Sequence, residues 1–214
     1  MQKLSAAETR SHLEKGTLLL DLRPAAEFVQ GFAPRSIFLP LDTNAGEWLS
    51  FLDEEQKTAI LITETGKEED AFRMIRQTGL VEVPGVADMA EVFRQGQDLL
   101  IDIDAPELEL DYDFDEFFLI DVRPEVAFEA AHLEDAENLP LAEISSALPD
   151  FDPQMNIYLY GESFEQACFA ASLFKRDGFH KIRLCRDGFE VLKESRIPVA
   201  KPKKKPASND FSKN

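Results

Sequence analysis

The stretch "FLIDVRPEVAFEAAHLEDAENLPL", residues 118–141, decides how this chain is read, because a version of it stands one hundred residues earlier. The earlier copy is "LLLDLRPAAEFVQGFAPRSIFLPL", residues 18–41. Laid together without gaps, 7 of the 21 positions from Asp21 and Asp121 onward are identical: the Asp, Arg, Pro, Phe and the closing Leu-Pro-Leu. A repeat of that length indicates duplicated domains, not a short-period solenoid.

The same grammar runs outward from both copies. Residues 18–22 and 117–122 are apolar runs suited to strands buried on both faces. Pro24 and Pro124 then permit a helix start, since proline suits the first helical turn. A short extended segment ends at Leu39 and Leu139, and residues 59–62 and 157–160 are further buried strands. A polar turn and an amphipathic helix follow each, over 68–78 and 165–176, with Gly79 and Gly178 placed as C-caps. A last strand and a terminal helix close each half. Strands alternating with helices predict an α/β fold with a mostly parallel central sheet in each domain. The division falls near residues 100–114, giving domains over 1–104 and 105–200 and a basic disordered tail over 201–214. Within the boundary, "ELELDYDFD" (residues 107–115) alternates acidic and apolar residues, which predicts an extended strand with Leu108, Leu110, Tyr112 and Phe114 inward. Asp111, Asp113 and Asp115 have the spacing that opens a calcium loop. However, Glu116 stands where that loop needs Gly, and Val122 where it needs Glu.

Charge narrows the function. The chain of 214 residues carries −18. The tail holds five Lys and one Asp of the 23 basic and 41 acidic side chains, leaving 18 and 40 in residues 1–200, a net −22. So acidic a surface repels phosphate backbones, which excludes nucleic acid as a partner. No window resembles a membrane span, and the start "MQKLSAAETRSHLEKG" has no apolar signal region, so a cytoplasmic setting is expected. His12, His132 and His180 are scattered, and two cysteines are too few for a disulfide framework. No metal and no cofactor are expected.

The repeated stretch resembles the rhodanese-homology family, whose pattern is an "LIDVR" strand, a helix, a Gly-His-x-Pro-Gly-Ala-x-Asn-x-Pro stretch and a strand ending in a catalytic loop. "RDGFHKIRLCRDGFEVLKESRIPV" is similar to the family's closing strand, turn and final helix. The likeness covers nearly residues 4–100 and 115–200. It implies a tandem of three-layer α/β/α domains, as in two-domain sulfurtransferases. It also implies a loop cysteine whose thiolate takes up a sulfane sulfur as a persulfide, with loop N–H groups and a helix dipole steadying the charge.

In the second half that cysteine position falls on Gly161, followed by Glu162, Ser163, Phe164, Glu165 and Gln166. In the first half it falls on Thr63, or on Ile62 if the loop is one residue shorter, and the loop continues Glu64, Thr65, Gly66, Lys67, Glu68. The first half contains no cysteine at all. Thr65-x-x-Glu68 and Ser163-x-x-Gln166 both fit a capping box, so side-chain oxygens are expected to take the N–H groups that an active loop points at its persulfide. No residue is assigned as catalytic on this reading. Cys168, in "ACFAASLF", and Cys185, in "IRLCRDGF", read as small buried hydrophobes. A disulfide between them is disfavoured in a cytoplasmic setting. Asp21 with Arg23 and Asp121 with Arg123 read as structural pairs fixing the turn after each strand. Trp48, Leu49, Phe51 and Leu52 read as the apolar face of a helix, and the Cys-x5-Arg loop of a Cdc25-like phosphatase is missing.

The expectation is therefore a catalytically inactive tandem protein that binds a protein partner, connected to sulfur or persulfide metabolism. Family members are often fused to metallo-β-lactamase-fold hydrolases acting on persulfides. The alternatives are a sulfurtransferase using Cys168, Cys185 or a partner's thiol, and a module whose vestigial loop pocket senses a small ligand.

Overall fold

The computed structural model describes residues 2–41, 45–52, 58–79, 81–88, 92, 96–114 and 116–200. The basic tail and Asp115 lie outside them.

The first half is built from β1 (Lys3–Leu4), α1 (Ala6–Glu14), β2 (Leu18–Asp21), α2 (Ala25–Gln30), β3 (Ile37–Phe38), α3 (Ala45–Ser50), β4 (Ala59–Ile62), α4 (Glu68–Thr78) and β5 (Val86–Ala87). Its five strands form one parallel sheet in the order β1-β5-β4-β2-β3. The central strands are buried along their length. Their side chains alternate between faces, as the pleat requires. Leu19, Ile60 and Ile62 join Leu4 and Leu13 on one side. Leu18, Leu20 and Leu61 join Phe28, Trp48 and Ile75 on the other. Pro24 and Pro124 sit at the N-cap of their helices, one residue outside the first turn.

The second half repeats the plan. It comprises β6 (Ile101–Ile103), α5 (Ala105–Phe114), β7 (Phe118–Asp121), α6 (Glu125–Ala130), β8 (His132–Leu133), β9 (Glu137–Asn138), α7 (Ile144–Ala147), β10 (Ile157–Tyr160), α8 (Phe164–Arg176), β11 (Ile182–Cys185), α9 (Phe189–Leu192) and β12 (Val199–Ala200). The five-stranded parallel sheet runs β6-β11-β10-β7-β9, and β12 pairs antiparallel with β8 as a separate ribbon. Leu119, Tyr158, Tyr160 and Cys185 face Leu108 of α5 and Leu192 of α9, while Ile120, Leu159 and Leu184 face α8. Each domain is thus an α/β/α sandwich around a parallel sheet. Because β6 belongs to the second sheet, the second fold begins before residue 105.

Residues 107–114 do not form the expected strand: α5 is a helix through Phe114. The period-two pattern loses to a helix start encoded just upstream. Asp104 Oδ1 accepts from the Glu107 N–H and Glu107 Oε2 accepts from the Asp104 N–H, each at 3.0 Å, a reciprocal cap with Pro106 in the first turn. Tertiary bonds then hold the helix. Asp111 Oδ2 accepts from Tyr158 Oη at 2.8 Å and from Arg183 at 2.7 Å, and Glu109 pairs with Arg196 at 2.9 Å. A strand would turn these carboxylates to one face and lose those partners.

The two halves share one core. Helix α8 is buried on every side from Ala167 to Phe174, the signature of a helix enclosed by protein. One side lies on β10 and β11, the other on β3 and α2 of the first half. Phe169 meets Trp48 with ring centroids 5.1 Å apart, and Lys175 reaches Asp98 at 3.1 Å.

Candidate functional site

In open parallel sheets, sites form beyond the carboxyl ends of the strands. Here those ends are the turns after β4 and β10.

After β10 the chain passes from fully buried Tyr160 to Gly161. A Cβ at Gly161 would lie 2.7 Å from Gln166 Oε1, 2.9 Å from Gln166 Cβ and 3.2 Å from Val122 Cγ2. The position is therefore closed to any side chain unless its neighbours shift. Gln166 is folded back into the turn, where its Oε1 accepts from the Glu162 N–H at 2.8 Å. Ser163 is the N-cap of α8, its Oγ accepting from the Gln166 N–H at 3.4 Å. The expected box is thus half reciprocal: Ser163 caps the helix, but the returning bond goes to Glu162 and not to Ser163. The other wall is Gly188, where a Cβ would fall 2.1 Å from the Glu162 carbonyl oxygen. Sequence reasoning passed over Gly188, and its only signal was a glycine opening a terminal helix.

After β4, Thr63 donates its hydroxyl to the Glu64 carbonyl at 3.0 Å, and Lys67 N–H closes a turn on the same oxygen at 3.1 Å. Gly66 occupies the left-handed region of that turn at φ +87°. Thr65 is not the expected cap. Helix α4 begins at Glu68 with Lys67 as N-cap and no side-chain cap bond. Glu68 opens the helix, and its carboxyl is held below its ordinary pKa by the nearby backbone N–H groups of Glu68 and Gly66. Glu68 and Gln166 each stand five residues after the first residue of their loop. At Gln166 the N–H cradle is filled by an oxygen of the chain itself. A cleft of about 380 Å³ lies beside the first loop, between Thr63, Thr65, Glu68 and Glu69 and the Lys3–Asp88 pair. A smaller one, about 250 Å³, separates Glu64 from Glu165 and reaches Arg23. A carboxylate-rich rim raises the cost of holding an anion.

Neither cysteine opens onto these clefts. Cys168 lies seven residues past Gly161, within α8, and Cys185 ends β11; both are free and fully buried. Burial pushes the Cys168 thiol well above its ordinary pKa, with Glu165 and Asp102 adding to the effect. Burial, then Asp187, does the same to Cys185. A thiol so held is not a thiolate at neutral pH, and the thiolate is the reactive form. Iodoacetamide at pH 8 is therefore expected to leave the native protein unmodified and to alkylate both cysteines in urea. Native alkylation of either one, read by intact mass, would contradict this.

The Asp–Arg pairs bracket the turns after β2 and β7. Asp21 accepts from Arg23 Nη2 at 2.6 Å, from Nε at 2.9 Å and from the Arg23 backbone N–H at 3.1 Å. Nη2 also reaches the Gly31 carbonyl at 2.8 Å. Asp121 and Arg123 repeat this at 2.6, 2.9 and 2.9 Å, with Ala131 in place of Gly31 at 2.7 Å. Each guanidinium ties a strand end to the end of the next helix, and Arg123 also stacks 3.6 Å over Phe189. His132 is similarly committed, stacked on Phe128 at 3.7 Å with Nδ1 2.8 Å from the Phe128 carbonyl. Among the described residues no group of three or more His, Cys, Asp and Glu has a metal-holding arrangement. No helix among them is long and apolar enough to cross a membrane.

Comparison with known proteins defines the class. The rhodanese-like domain family matches residues 5–91 and again residues 104–195. The chain belongs to the rhodanese-like domain family, in which it is a tandem of two domains. Among solved structures it is similar to the rhodanese-like domain of an Anabaena sp. protein, at 24% identity and TM-score 0.44, over 53% of this chain and 89% of that one. A rhodanese-like domain protein from Staphylococcus aureus matches at 14% identity and TM-score 0.43, over 47% of this chain and 99% of that one. Thiosulfate sulfurtransferase from Pseudomonas aeruginosa matches at 14% identity and TM-score 0.38, over 95% of this chain and 44% of that one. The search of curated proteins returned no match.

Proposed function

We propose that this chain is a catalytically inactive tandem rhodanese-like protein, working as an interaction or regulatory module alongside enzymes of sulfur or persulfide metabolism. The observation that carries the reading is the second loop. The position implied for the nucleophile is Gly161, and Gln166 fills the space and takes the Glu162 N–H that an anionic sulfur would need. The first loop supports it through its residue types, with Thr63 at the implied position and a rim of Glu64, Glu68 and Glu69. Serine or threonine cannot substitute for cysteine here, because sulfur transfer requires a sulfur–sulfur bond on the enzyme. The link to sulfur metabolism rests on family membership alone, and the protein partner on the loss of chemistry from a retained fold.

An assay with thiosulfate as donor and cyanide as acceptor tests this. The expected rate is that of the uncatalysed reaction. Turnover above that background which disappears in the Cys168→Ser, Cys185→Ser double variant would establish the sulfurtransferase reading instead.

A further inference from the structure

Helix α5 presents an outer face that nothing among the described residues covers. Its inner face is fixed by Ala105 and Leu108 in the core and by the Asp111 and Glu109 bonds. Outside, Leu110 is 58% exposed and Phe114 79% exposed, one turn apart, with the carboxylate of Asp113 beside them and that of Glu107 one turn back. Two large apolar side chains left in water on one helix face, ringed by acids, suit a partner that is both basic and apolar.

The chain supplies such a segment. Residues 201–214 carry Lys201, Lys203, Lys204, Lys205 and Lys213, with Phe211 among them and only Asp210 opposing. The described chain ends, just before them, in a segment held close to α5. Arg196 bonds Glu109 through both its backbone N–H and Nε, at 2.8 and 2.9 Å. The Glu134 N–H donates to the Pro198 carbonyl at 2.7 Å, and Tyr112 of α5 donates to Asp135 at 2.8 Å. The segment leading into β12 is thus tethered to α5 directly, at Arg196, and through one intervening turn, at Pro198. Fourteen residues span at most about 50 Å when extended. A ten-residue helix is about 15 Å long, so the face lies within reach. We propose that residues 201–214 dock on the outer face of α5, with the lysines on its carboxylates and Phe211 against Leu110 and Phe114. This stands independently of the function proposed above.

A nitroxide placed on the full chain through Ser208→Cys reads the contact, since Cys168 and Cys185 are buried and stay unlabelled. The expected result is loss of amide NMR intensity over residues 107–114 at low salt, reversed at 1 M salt, where the screening length falls to about 3 Å. The loss should also vanish in the Asp113→Lys, Phe114→Ser variant, both positions being exposed. Broadening centred elsewhere, such as on α6, or unchanged by the variant, would overturn the proposal. So would broadening that appears on unlabelled chains mixed with labelled ones, which would make the contact one between copies.

Discussion

A Gly161→Cys variant is expected to lose stability and to gain no persulfide. Its Cβ alone would meet Gln166 Oε1 at 2.7 Å and Gln166 Cβ at 2.9 Å, closer than carbon atoms rest without displacement. The amide oxygen can swing away, but Cβ is fixed by the first turn of α8. Overpacking of this kind costs about 1–3 kcal/mol, which lowers Tm by several degrees in a chain of this size. The incoming sulfur would also find the Glu162 N–H already bonded to Gln166. Combining Gly161→Cys with Gln166→Gly removes both contacts and frees that N–H, so part of the lost stability should return. Thermal unfolding followed by circular dichroism checks the first effect, and intact mass after incubation with a sulfane donor checks the second. A Gly161→Cys protein that melts with the parent and takes up sulfur would show that only the thiol had been lost, not the loop.

The largest stability effect is expected from Phe169→Ala. The ring is fully buried in α8 and packs on Trp48 across the join between the halves. Truncating a buried Phe costs about 3–5 kcal/mol, a large share of the roughly 5–15 kcal/mol that holds an ordinary domain. Because α8 belongs to the core of both halves, the loss should be felt in both. Trp48, in the first half, is the sole tryptophan and reports on that half by fluorescence. Its unfolding transition should move together with that seen by far-ultraviolet circular dichroism. A variant whose Trp48 transition stays in place while the other moves would show that the halves melt separately.

Most of this architecture was legible in the repeat. The strands over 59–62 and 157–160 and the helix over 68–78 fall where the apolar runs and caps put them, because they are buried elements with clear boundaries. Helix α5 was misread because its residues alternate by accident of charge. The decisive information lay at and beyond the edge of the alternating run, in Asp104, which caps with Glu107, and in Tyr158 and Arg183 far along the chain. The loop chemistry was legible as residue types and not as bonds. Thr65 and Ser163 occupy matching positions in the two capping patterns, yet only Ser163 caps, because α8 starts at Phe164 while α4 waits until Glu68. Which oxygen fills an N–H cradle depends on where a helix begins, to within a residue or two, and pattern does not fix that. The closed space at Gly161 depends in turn on Gln166 folding back and on Val122 standing beside it just after β7, neither of which spacing reveals.

The most direct test of the central claim is the mass of the intact, unmodified protein after incubation with a sulfane-sulfur donor and removal of excess reagent. An inactive pair of loops with two buried, protonated thiols predicts an unchanged mass. A gain of one sulfur atom, mapped to Cys168 or Cys185 and discharged by cyanide, would contradict it.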